Sequence, residues 1–375
     1  MAVLFIGTIP PPISGQALAY YHSYVGFKEE KLLIDKNEGT QKSIIFRLLY
    51  YVYFIFKSLY YCFFKKISVI YSTAFGSLYG SIFDLIVFNF AKLFHIRIIV
   101  HFQGSNFKNL IEEDANFIHK YILKKTYQRV DCAIVLCESM REQINFLLDE
   151  KNIFVVPNFY DPYLEKITEE DIIQKRKKSP LIIGYFSNLV YSKGIVHLLE
   201  AFQEMNAYFS NTSQKVEYEL WIAGNIMSDE YMSATILRDK LNEFVKNNVN
   251  IKYFDVLTGK KKRDFFQKIS IFTLPTFYRH EAQPLSLLEA MRSGCVILTT
   301  HYKYIPDFIS SRNGYLVPVK SADAIKDMLI YLFENVNLID EIAITNYKIA
   351  KENYSVEKYQ KLINQKISNV IENIN

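Results

Sequence analysis

The chain has 375 residues, of which half are apolar and 22% are charged. This length suits two domains of about 150–200 residues each, and the composition excludes a disordered chain. The formal net charge of +5 is too small for the clustered basic surface of a nucleic-acid-binding protein, so anionic small molecules or an anionic membrane surface are the expected partners.

The first fifteen residues, MAVLFIGTIPPPISG, contain a short apolar run without a basic region before it, which predicts a buried first strand and no signal peptide. The cysteines Cys62, Cys132, Cys137 and Cys295 show no C-x-x-C spacing, which favours buried reduced thiols over disulfides or a zinc site. Both observations are typical of a cytoplasmic protein.

The first half of the chain alternates short runs of β-branched and aromatic residues with longer helical patterns. Strands that alternate with helices predict parallel βαβ units, with helices on both faces of the sheet. The predicted strands are VLFIG (3–7), ISVIYS (67–72), IRIIVHF (96–102), CAIVLC (132–137) and IFVVPN (153–158).

Residues 44–64, IIFRLLYYVYFIFKSLYYCFF, have the length of a membrane-spanning helix. Arg47 and Lys57 interrupt the segment, and a lysine near the middle of the bilayer costs about 3 kcal/mol, so a spanning helix is rejected. Two interpretations stay open: buried aromatic-rich helices, or a helix on the bilayer surface with Arg47, Lys57, Lys65 and Lys66 facing anionic headgroups.

The second half repeats the alternation after a charged stretch, 167–180, which has the composition of an exposed connection between domains. Two doubly wound domains in tandem are predicted, followed by an amphipathic helix over 356–374 that must dock on another part of the chain. The predicted strands are LIIGYFS (181–187), YELWIAG (218–224), VNIKYFD (249–255), IFTLPT (271–276), CVILTT (295–300) and GYLVP (314–318).

Ligands of open parallel sheets bind beyond the carboxyl ends of the strands, and the loop after IFTLPT is unusual in this respect. A helix that starts at Pro284 leaves the backbone N–H groups of Leu285 and Ser286 free for a phosphate. Glu289 lies one turn further along in the apolar setting LSLLEAM and needs a partner, for which a ribose diol is suitable. Glu281 would contact sugar hydroxyls, although solvated surface carboxylates remain an alternative for both.

Three further loops supply candidates. Lys193 precedes a helix, where a cation is disfavoured unless an anion binds nearby, so it is predicted to contact a phosphate. The loop PPPISGQA exposes backbone amides near Gly15 and Gln16. His101 ends a strand and is either a structural or a functional residue, and the run KKKR (260–263) is interpreted as a solvated helix start.

Three stretches together resemble the retaining nucleotide-sugar glycosyltransferases of the GT-B fold, in particular glycosyltransferase family 4: EAQPLSLLE (281–289) with its E-x(7)-E spacing, SNLVYSKGIVHLLEAF and PPPISGQA. The resemblance implies an α/β fold of two Rossmann-like, doubly wound domains that face each other across a cleft. Residues 1–163 would form the acceptor-binding domain and 164–355 the nucleotide-sugar-binding domain. The helix in 356–375 would cross back to pack on the first domain.

The resemblance also implies the roles of single residues. His101, Glu281 and Lys193 would be catalytic, although the family's histidine directly precedes a glycine, where this chain has Gln103, so either side chain can fill that position. Asn188 stands where many members have an arginine. The implied donor-binding residues are Gly15, Gln16, Asn188, Lys193, Val256, Gln283, Leu285, Ser286 and Glu289.

The predicted function is the transfer of a sugar, of the hexosyltransferase type, from a nucleoside diphosphate sugar to a glycan or polyprenyl-linked oligosaccharide. Configuration would be retained, with no metal or other cofactor, since the chain has no D-x-D motif with acidic neighbours. The expected setting is bacterial surface polysaccharide synthesis (O-antigen, capsule or lipopolysaccharide), in the cytoplasm, with residues 44–66 on the inner face of the cell membrane.

Two alternatives remain: a non-catalytic protein that binds sugar nucleotides or glycans, and a GT-B epimerase or phosphorylase. The motif G-x-G-x-x-G is absent from the sequence, which argues against a dehydrogenase.

Overall fold

The computed structural model describes residues 2–11, 13–36, 44–74, 76–176, 180–212 and 217–372, with the helical backbone alone for 44–48. The chain divides into two compact units. Unit 1 comprises Met1–Asn158 and Val356–Asn375, and unit 2 comprises Phe159–Ser355.

Unit 1 is built on a six-stranded parallel sheet with the order β2-β1-β3-β4-β5-β6. All residues of β1 and β3 are buried, as expected for strands of a parallel sheet that is covered on both faces. The strand β2, KLLID, was not among the predicted runs. The strands are β1 (Ala2–Gly7), β2 (Lys31–Asp35), β3 (Ile67–Thr73), β4 (Arg97–His101), β5 (Cys132–Val135) and β6 (Ile153–Val155).

The helices of unit 1 connect these strands. They are α1 (Gly15–Gly26), α2 (Ile44–Phe64), α3 (Leu78–Leu93), the single turn α4 (Phe107–Asn109) and α5 (Phe117–Tyr127). Ser14 caps α1, because its side chain accepts a hydrogen bond from the N–H of Ala17 at 3.1 Å.

One face of α2 is buried and the other is exposed. Phe54 and Cys62 are buried, whereas Phe56 and Phe63 are 67% and 60% exposed. The segment is therefore one helix with a buried face, and its exposed face leaves the interpretation of a helix on the bilayer surface open. Among the helices that the structure describes, none combines the length and the apolar character needed to cross a bilayer. The four cysteines are buried and unpaired, as predicted.

Unit 2 has a second six-stranded parallel sheet, with the order β12-β11-β10-β7-β8-β9. Its strands are β7 (Leu181–Phe186), β8 (Tyr218–Ala223), β9 (Ile251–Phe254), β10 (Ile271–Leu274), β11 (Val296–Thr300) and β12 (Gly314–Val317). Its helices are α6 (Glu169–Arg176), α7 (Ile195–Ser210), α8 (Ala234–Asn247), α9 (Gly259–Lys268), α10 (Leu285–Arg292), α11 (Ala322–Glu334) and α12 (Val336–Asn353).

The charged stretch before β7 is part of unit 2. Within α6, the side chain of Lys175 is only 7% exposed and donates hydrogen bonds to the carbonyl oxygens of Ile269 (2.8 Å) and Ser293 (2.7 Å). This packing corrects the interpretation of 167–180 as an exposed connection, while 177–179 lie outside the described residues.

The last helix, α13 (Val356–Glu372), returns to unit 1 and packs on α1. The hydroxyl of Tyr359 donates to the carbonyl oxygen of Ala19 at 3.0 Å, and the amide of Asn364 donates to that of Gly26 at 2.8 Å. A Cβ atom on Gly26 would lie 2.6 Å from the side chain of Gln360, so this close approach requires glycine. The predicted return of the C-terminal helix to the first domain is confirmed.

The strand order of unit 2 indicates where a ligand would bind. Strands β7 and β10 are neighbours, and the chain proceeds from β7 to β8 and β9 on one side and from β10 to β11 and β12 on the other. The connections after β7 and β10 therefore diverge and leave a crevice beyond the carboxyl ends of these two strands, where ligands of doubly wound sheets bind.

Candidate active site

An ion pair joins the loops that follow β7 and β10. The ammonium nitrogen of Lys193 lies 2.5 Å from Oε2 of Glu281, with side-chain exposures of 14% and 7%. Lys193 comes from the loop after β7 and Glu281 from the loop after β10, so the two residues meet at the crevice defined by the strand order. These two of the residues predicted to be catalytic are therefore neighbours.

Both loops are held in place by the backbone. Gly194 has a φ of 77°, and a Cβ atom there would lie 2.1 Å from the carbonyl oxygen of Pro275, so only glycine permits this contact. The N–H of Phe277 donates to the carbonyl oxygen of Ser192 at 2.8 Å, and the N–H of Ser192 donates to the carboxylate of Asp229 at 2.7 Å. The ammonium group of Lys193 is thus carried on a fixed turn.

Thr276 and Tyr278 complete the surroundings of the pair. The hydroxyl of Thr276, which is fully buried, donates to Oε2 of Glu281 at 2.9 Å. The ammonium group of Lys193 lies 4.9 Å from the ring centroid of Tyr278, within the range of a cation–π contact. Burial and the negative charge of Glu281 raise the pKa of Tyr278, so its hydroxyl stays protonated at neutral pH.

The helix α10 begins beside this pair. It starts at Leu285 with Pro284 as its N-cap residue, one position later than predicted, and no side chain caps its first turn. Leu285 and Ser286 are half-buried, and Gln283 just before them is 5% exposed. The sequence predicts that the backbone N–H groups of this first turn bind a phosphate.

Glu289, the carboxylate predicted to hold ribose, is 3% exposed and already has a protein partner. The ammonium nitrogen of Lys262 lies 2.6 Å from its Oε1 and 3.1 Å from Oδ2 of Asp161. Lys262 is 8% exposed, which corrects the interpretation of the KKKR run as wholly solvated. The apolar periodicity of α9 was the available signal, because Lys262 shares a face with the buried Phe265 and Phe266.

Burial and charge shift the pKa values of this pair. Burial raises the pKa of Glu289, and the ammonium group of Lys262 opposes that shift. Burial disfavours the charged form of Lys262, but the two carboxylates of Glu289 and Asp161 outweigh it and raise the pKa of the lysine. Lys262 therefore stays protonated between two acidic groups.

The other predicted donor contacts are exposed residues of the two units. Asn188 is exposed in the loop after β7, and Val256 is 58% exposed beyond β9, the edge strand of the sheet. Gly15 and Gln16 are exposed in the first turn of α1, in unit 1. Within the described part of unit 2, the hydrogen bonds of Lys193 and Glu281 do not include Asn188 or Val256. The donor-binding roles of all four residues remain predictions.

His101 ends β4 in unit 1 and is 1% exposed. Its Nδ1 lies 2.7 Å from the hydroxyl of Tyr71, and its Nε2 lies 2.9 Å from the amide nitrogen of Gln103. The ring of Tyr359 stacks on it at 6.3 Å. Burial lowers the pKa of His101 to about 3, so the imidazole is neutral at physiological pH. A catalytic role for His101 stays a prediction.

Sequence reasoning missed three residues that touch the predicted ones: Thr276, Lys262 and Asp161. Thr276 is the last residue of the predicted strand IFTLPT. Nothing in that run shows which carboxylate its hydroxyl would contact. No group of three or more His, Cys, Asp or Glu side chains suited to a metal ion occurs in the ranges that the structure describes.

The fold of two parallel-sheet α/β units, with the C-terminal helix returned to the first, is that of GT-B proteins. Residues 166–349, within unit 2 and including Lys193, Glu281 and Glu289, match the family model of glycosyl transferases group 1. The match covers just under half of the chain, 184 of 375 residues (349 − 166 + 1).

The curated proteins include poly(ribitol-phosphate) alpha-N-acetylglucosaminyltransferase of Staphylococcus aureus (strain COL), which is 29% identical over 242 residues. The match covers 64% of this chain and 43% of that protein, so the chain spans less than half of its relative's length. The matched family and this relative are both glycosyltransferases.

Two solved structures are similar in fold over their whole length. Anabaena HepE in complex with UDP has a TM-score of 0.73 at 13% identity and covers 100% of both chains. Sucrose-phosphate synthase of Thermosynechococcus elongatus has a TM-score of 0.71 at 12% identity. This match covers 100% of the present chain and 98% of the synthase chain.

Proposed function

We propose that the protein is a glycosyltransferase that moves a sugar from a nucleoside diphosphate sugar to a hydroxyl group of a glycan acceptor. One observation carries the proposal: Lys193 and Glu281 meet beyond the carboxyl ends of β7 and β10, inside the segment that matches glycosyl transferases group 1. Ligands of a doubly wound sheet bind at this position, and the ammonium group supplies the charge that a diphosphate requires.

Lys193 can hold Glu281 and a diphosphate at the same time. An ammonium group has three donors. One points to Oε2 of Glu281, and among the described residues this ammonium group makes no other hydrogen bond, which leaves donors for phosphate oxygens. The uncapped first turn of α10 adds backbone N–H groups and the positive end of a helix dipole.

The reaction breaks the bond between the anomeric carbon and the diphosphate oxygen and forms a bond from that carbon to the acceptor oxygen. Negative charge develops on the oxygen of the departing diphosphate, and this oxygen accepts the proton that the acceptor hydroxyl loses. Lys193 and the first turn of α10 stabilise that charge, and this stabilisation supplies the main catalytic effect. Because these groups are cationic or dipolar, the transfer needs no metal ion in our proposal.

The finer assignments rest on the similarities. UDP in the HepE complex supports a uridine diphosphate sugar as donor. The curated relative, named for poly(ribitol-phosphate), supports a cell-surface polymer or its lipid-linked precursor as acceptor, with O-antigen, capsule and lipopolysaccharide chains in the same class. Retention of configuration rests on the resemblance of EAQPLSLLE to glycosyltransferase family 4.

The exposed face of α2 supports a contact with the inner face of the cell membrane. It presents Val52, Phe56 and Phe63 to solvent, and the ring of Phe63 lies 5.6 Å from that of Phe94, so the apolar surface continues to the end of α3. The exposed Lys65 and Lys66 follow directly after α2. An apolar face bordered by lysines suits an anionic bilayer surface. The side chain of Arg47, also predicted to face headgroups, lies outside the described residues.

This contact predicts salt-sensitive binding to vesicles. The protein should sediment with vesicles of anionic lipid and stay in solution with zwitterionic ones. About 0.5 M salt should release most of it, because the Debye length falls to about half of its value at 0.15 M. Lys65→Glu with Lys66→Glu should weaken the binding, whereas Lys246→Glu, exposed at the end of α8 in unit 2, should not. Equal binding to both vesicle types would contradict the proposal.

The function is tested by donor binding and then by turnover. UDP, GDP, ADP and CDP are compared for thermal stabilisation, since a ligand that binds only the folded protein raises its melting temperature. Release of the selected diphosphate from its sugars is then followed with and without glycan and polyprenyl-linked acceptors. A transferase releases diphosphate in step with glycosylated acceptor. Binding without release would indicate a binding protein, and sugar isomerisation without an acceptor would indicate an epimerase.

A further inference from the structure

Lys262 is a buried cation that the proposed reaction does not use. It lies on α9, and its ammonium group bridges Glu289 on α10 and Asp161 at the start of unit 2. The side chains of Lys262 and Glu289 are 10% and 4% exposed. Three separate segments of unit 2 thus bring their charges to one point.

We propose that Lys262 is a positioning residue that sets the specificity of the donor site for ribose, because its ammonium group fixes the carboxylate of Glu289 to accept hydrogen bonds from the pentose hydroxyls. The inference rests on the proposed function, since it requires a nucleotide in unit 2. It adds a residue outside the E-x(7)-E motif and names the part of the donor on which that residue acts.

The charge balance of the cluster favours this role over a purely structural one. Two carboxylates face one ammonium group, so the three side chains together carry one negative charge. A buried ion pair is weak evidence for stability, because apolar residues of similar size often serve equally well. The side chain of Asp161 is 23% exposed and keeps contact with solvent, whereas that of Glu289 is 4% exposed. The carboxylate of Glu289 therefore depends on hydrogen-bond donors of the protein or a ligand, and a vicinal diol supplies two.

The carboxylate of Glu289 has capacity left for such donors. It can accept about four hydrogen bonds. Lys262 donates one at 2.6 Å, and the backbone N–H of Asp161 contributes another that lowers the pKa of Glu289. Among the described residues the carboxylate of Glu289 has no further hydrogen-bond partner, so a diol would supply the remaining donors.

The place of Glu289 along α10 matches the covalent structure of a nucleotide. It lies four residues beyond Leu285, which is about 6 Å along a helix axis. A diphosphate on the first turn of α10 would place the attached pentose at this distance. Lys262 holds Glu289 from the side of α9, so the carboxylate cannot swing away when the ligand arrives.

The experiment compares ribose with deoxyribose ligands. Dissociation constants are measured by calorimetry for the full-length protein with the nucleoside diphosphate selected by the thermal panel and with its 2′,3′-dideoxy analogue. The wild type should bind the ribose form about tenfold or more tightly, because each hydrogen bond to a charged group contributes about 1.5–3 kcal/mol, and 1.4 kcal/mol is tenfold. Lys262→Met should reduce this ratio to within about threefold.

The matched control is Lys261→Met on the same helix, where the side chain is exposed and the ratio should equal that of the wild type. If Lys262→Met does not fold, Lys262→Gln is used instead, because glutamine keeps a hydrogen-bond donor and removes the charge. The preference of Lys262→Gln for the ribose form over the dideoxy form should fall as well. A purely structural lysine would lower the melting temperature and leave the ratio unchanged, which would overturn the inference.

The outcomes also separate the inference from the proposed function. If diphosphates bind and depend on Lys193, but the wild type does not discriminate against the dideoxy form, only the role of Lys262 is overturned. If no nucleoside diphosphate binds the wild type, the proposed function fails and the inference fails with it.

Discussion

The carboxyl edges of the two sheets carry different chemistry. In unit 2 the strands end at a pair of opposite charges, Lys193 and Glu281, which keep some contact with solvent. In unit 1 the corresponding edge carries His101 inside a neutral network, in which Ser23 links the hydroxyls of Tyr71 (3.2 Å) and Tyr359 (2.8 Å). Both sheets have six parallel strands, so the strand number does not cause this difference.

The difference shows which edge is ready for a charged ligand. An ammonium group with unused donors can add a phosphate without losing its protein partner. The imidazole of His101 has a partner at each ring nitrogen and is kept neutral by burial, so it can orient or accept a hydrogen bond but offers no positive charge. We therefore propose that unit 2 binds the anionic donor and that unit 1 binds a neutral, hydroxyl-bearing acceptor.

The largest expected effect comes from the charged edge. Lys193→Ala should reduce the turnover number for diphosphate release by about 10²–10³, the loss that follows removal of one preorganised donor to a developing charge. Lys246→Ala, an exposed lysine of the same unit, serves as the control and should leave the rate unchanged. If the turnover number of Lys193→Ala stays within threefold of that of the wild type, groups other than Lys193 stabilise the developing charge.

The neutral edge is tested by the pH dependence of stability. The pKa of His101 is about 3 in the folded protein, whereas an unfolded histidine titrates near 6.5, so below pH 6.5 the unfolded state binds a proton that the folded state does not. This contribution to stability is complete above pH 6.5 and is lost at about 1.4 kcal/mol per pH unit as the pH falls towards 3.

Urea unfolding of the wild type and His101→Gln measures this effect. The free energy of unfolding of the wild type should fall by roughly 2 kcal/mol more than that of the variant between pH 6.5 and 5. His301→Gln, an exposed histidine of unit 2, should follow the wild type. If wild type and His101→Gln lose stability in parallel, the imidazole is not held neutral.

The smallest expected effect sharpens the assignment at the charged edge. Thr276→Val removes the hydrogen bond to Oε2 of Glu281 without changing the shape of the side chain, and should lower kcat about tenfold with little change in KM. Thr276→Ser keeps the hydroxyl and should retain most of the rate. If both variants behave alike, the hydroxyl does not position Glu281.

The sequence predicted much of the fold, because parallel strands buried on both faces appear as continuous apolar runs. All six strands of unit 2 were identified in this way. The strand β2 was missed, since KLLID begins and ends with a charged residue and only one of its residues is fully buried. The helix α6 was interpreted as an exposed connection because most of its residues are charged or polar, and nothing in the sequence shows that the amine of Lys175 is buried.

The candidate site was predictable where strand ends carry it. Lys193 and Glu281 follow β7 and β10, and the rule for parallel sheets places both at one edge. The partners of Glu289 were not predictable, because Lys262 and Asp161 reach it from segments 27 and 128 residues away in the sequence (289 − 262 and 289 − 161). Such contacts depend on the packing of α9 against the start of unit 2, which local patterns do not encode.

The central claim is that the carboxyl edge of the second sheet binds the diphosphate of the donor through Lys193. Calorimetric titration of the wild type and Lys193→Met with the selected nucleoside diphosphate, and with its free nucleoside, tests this directly. We predict that the wild type binds the diphosphate at least tenfold more tightly than the nucleoside, and that Lys193→Met loses most of this preference. A Lys193→Met variant that keeps the full preference would contradict the account.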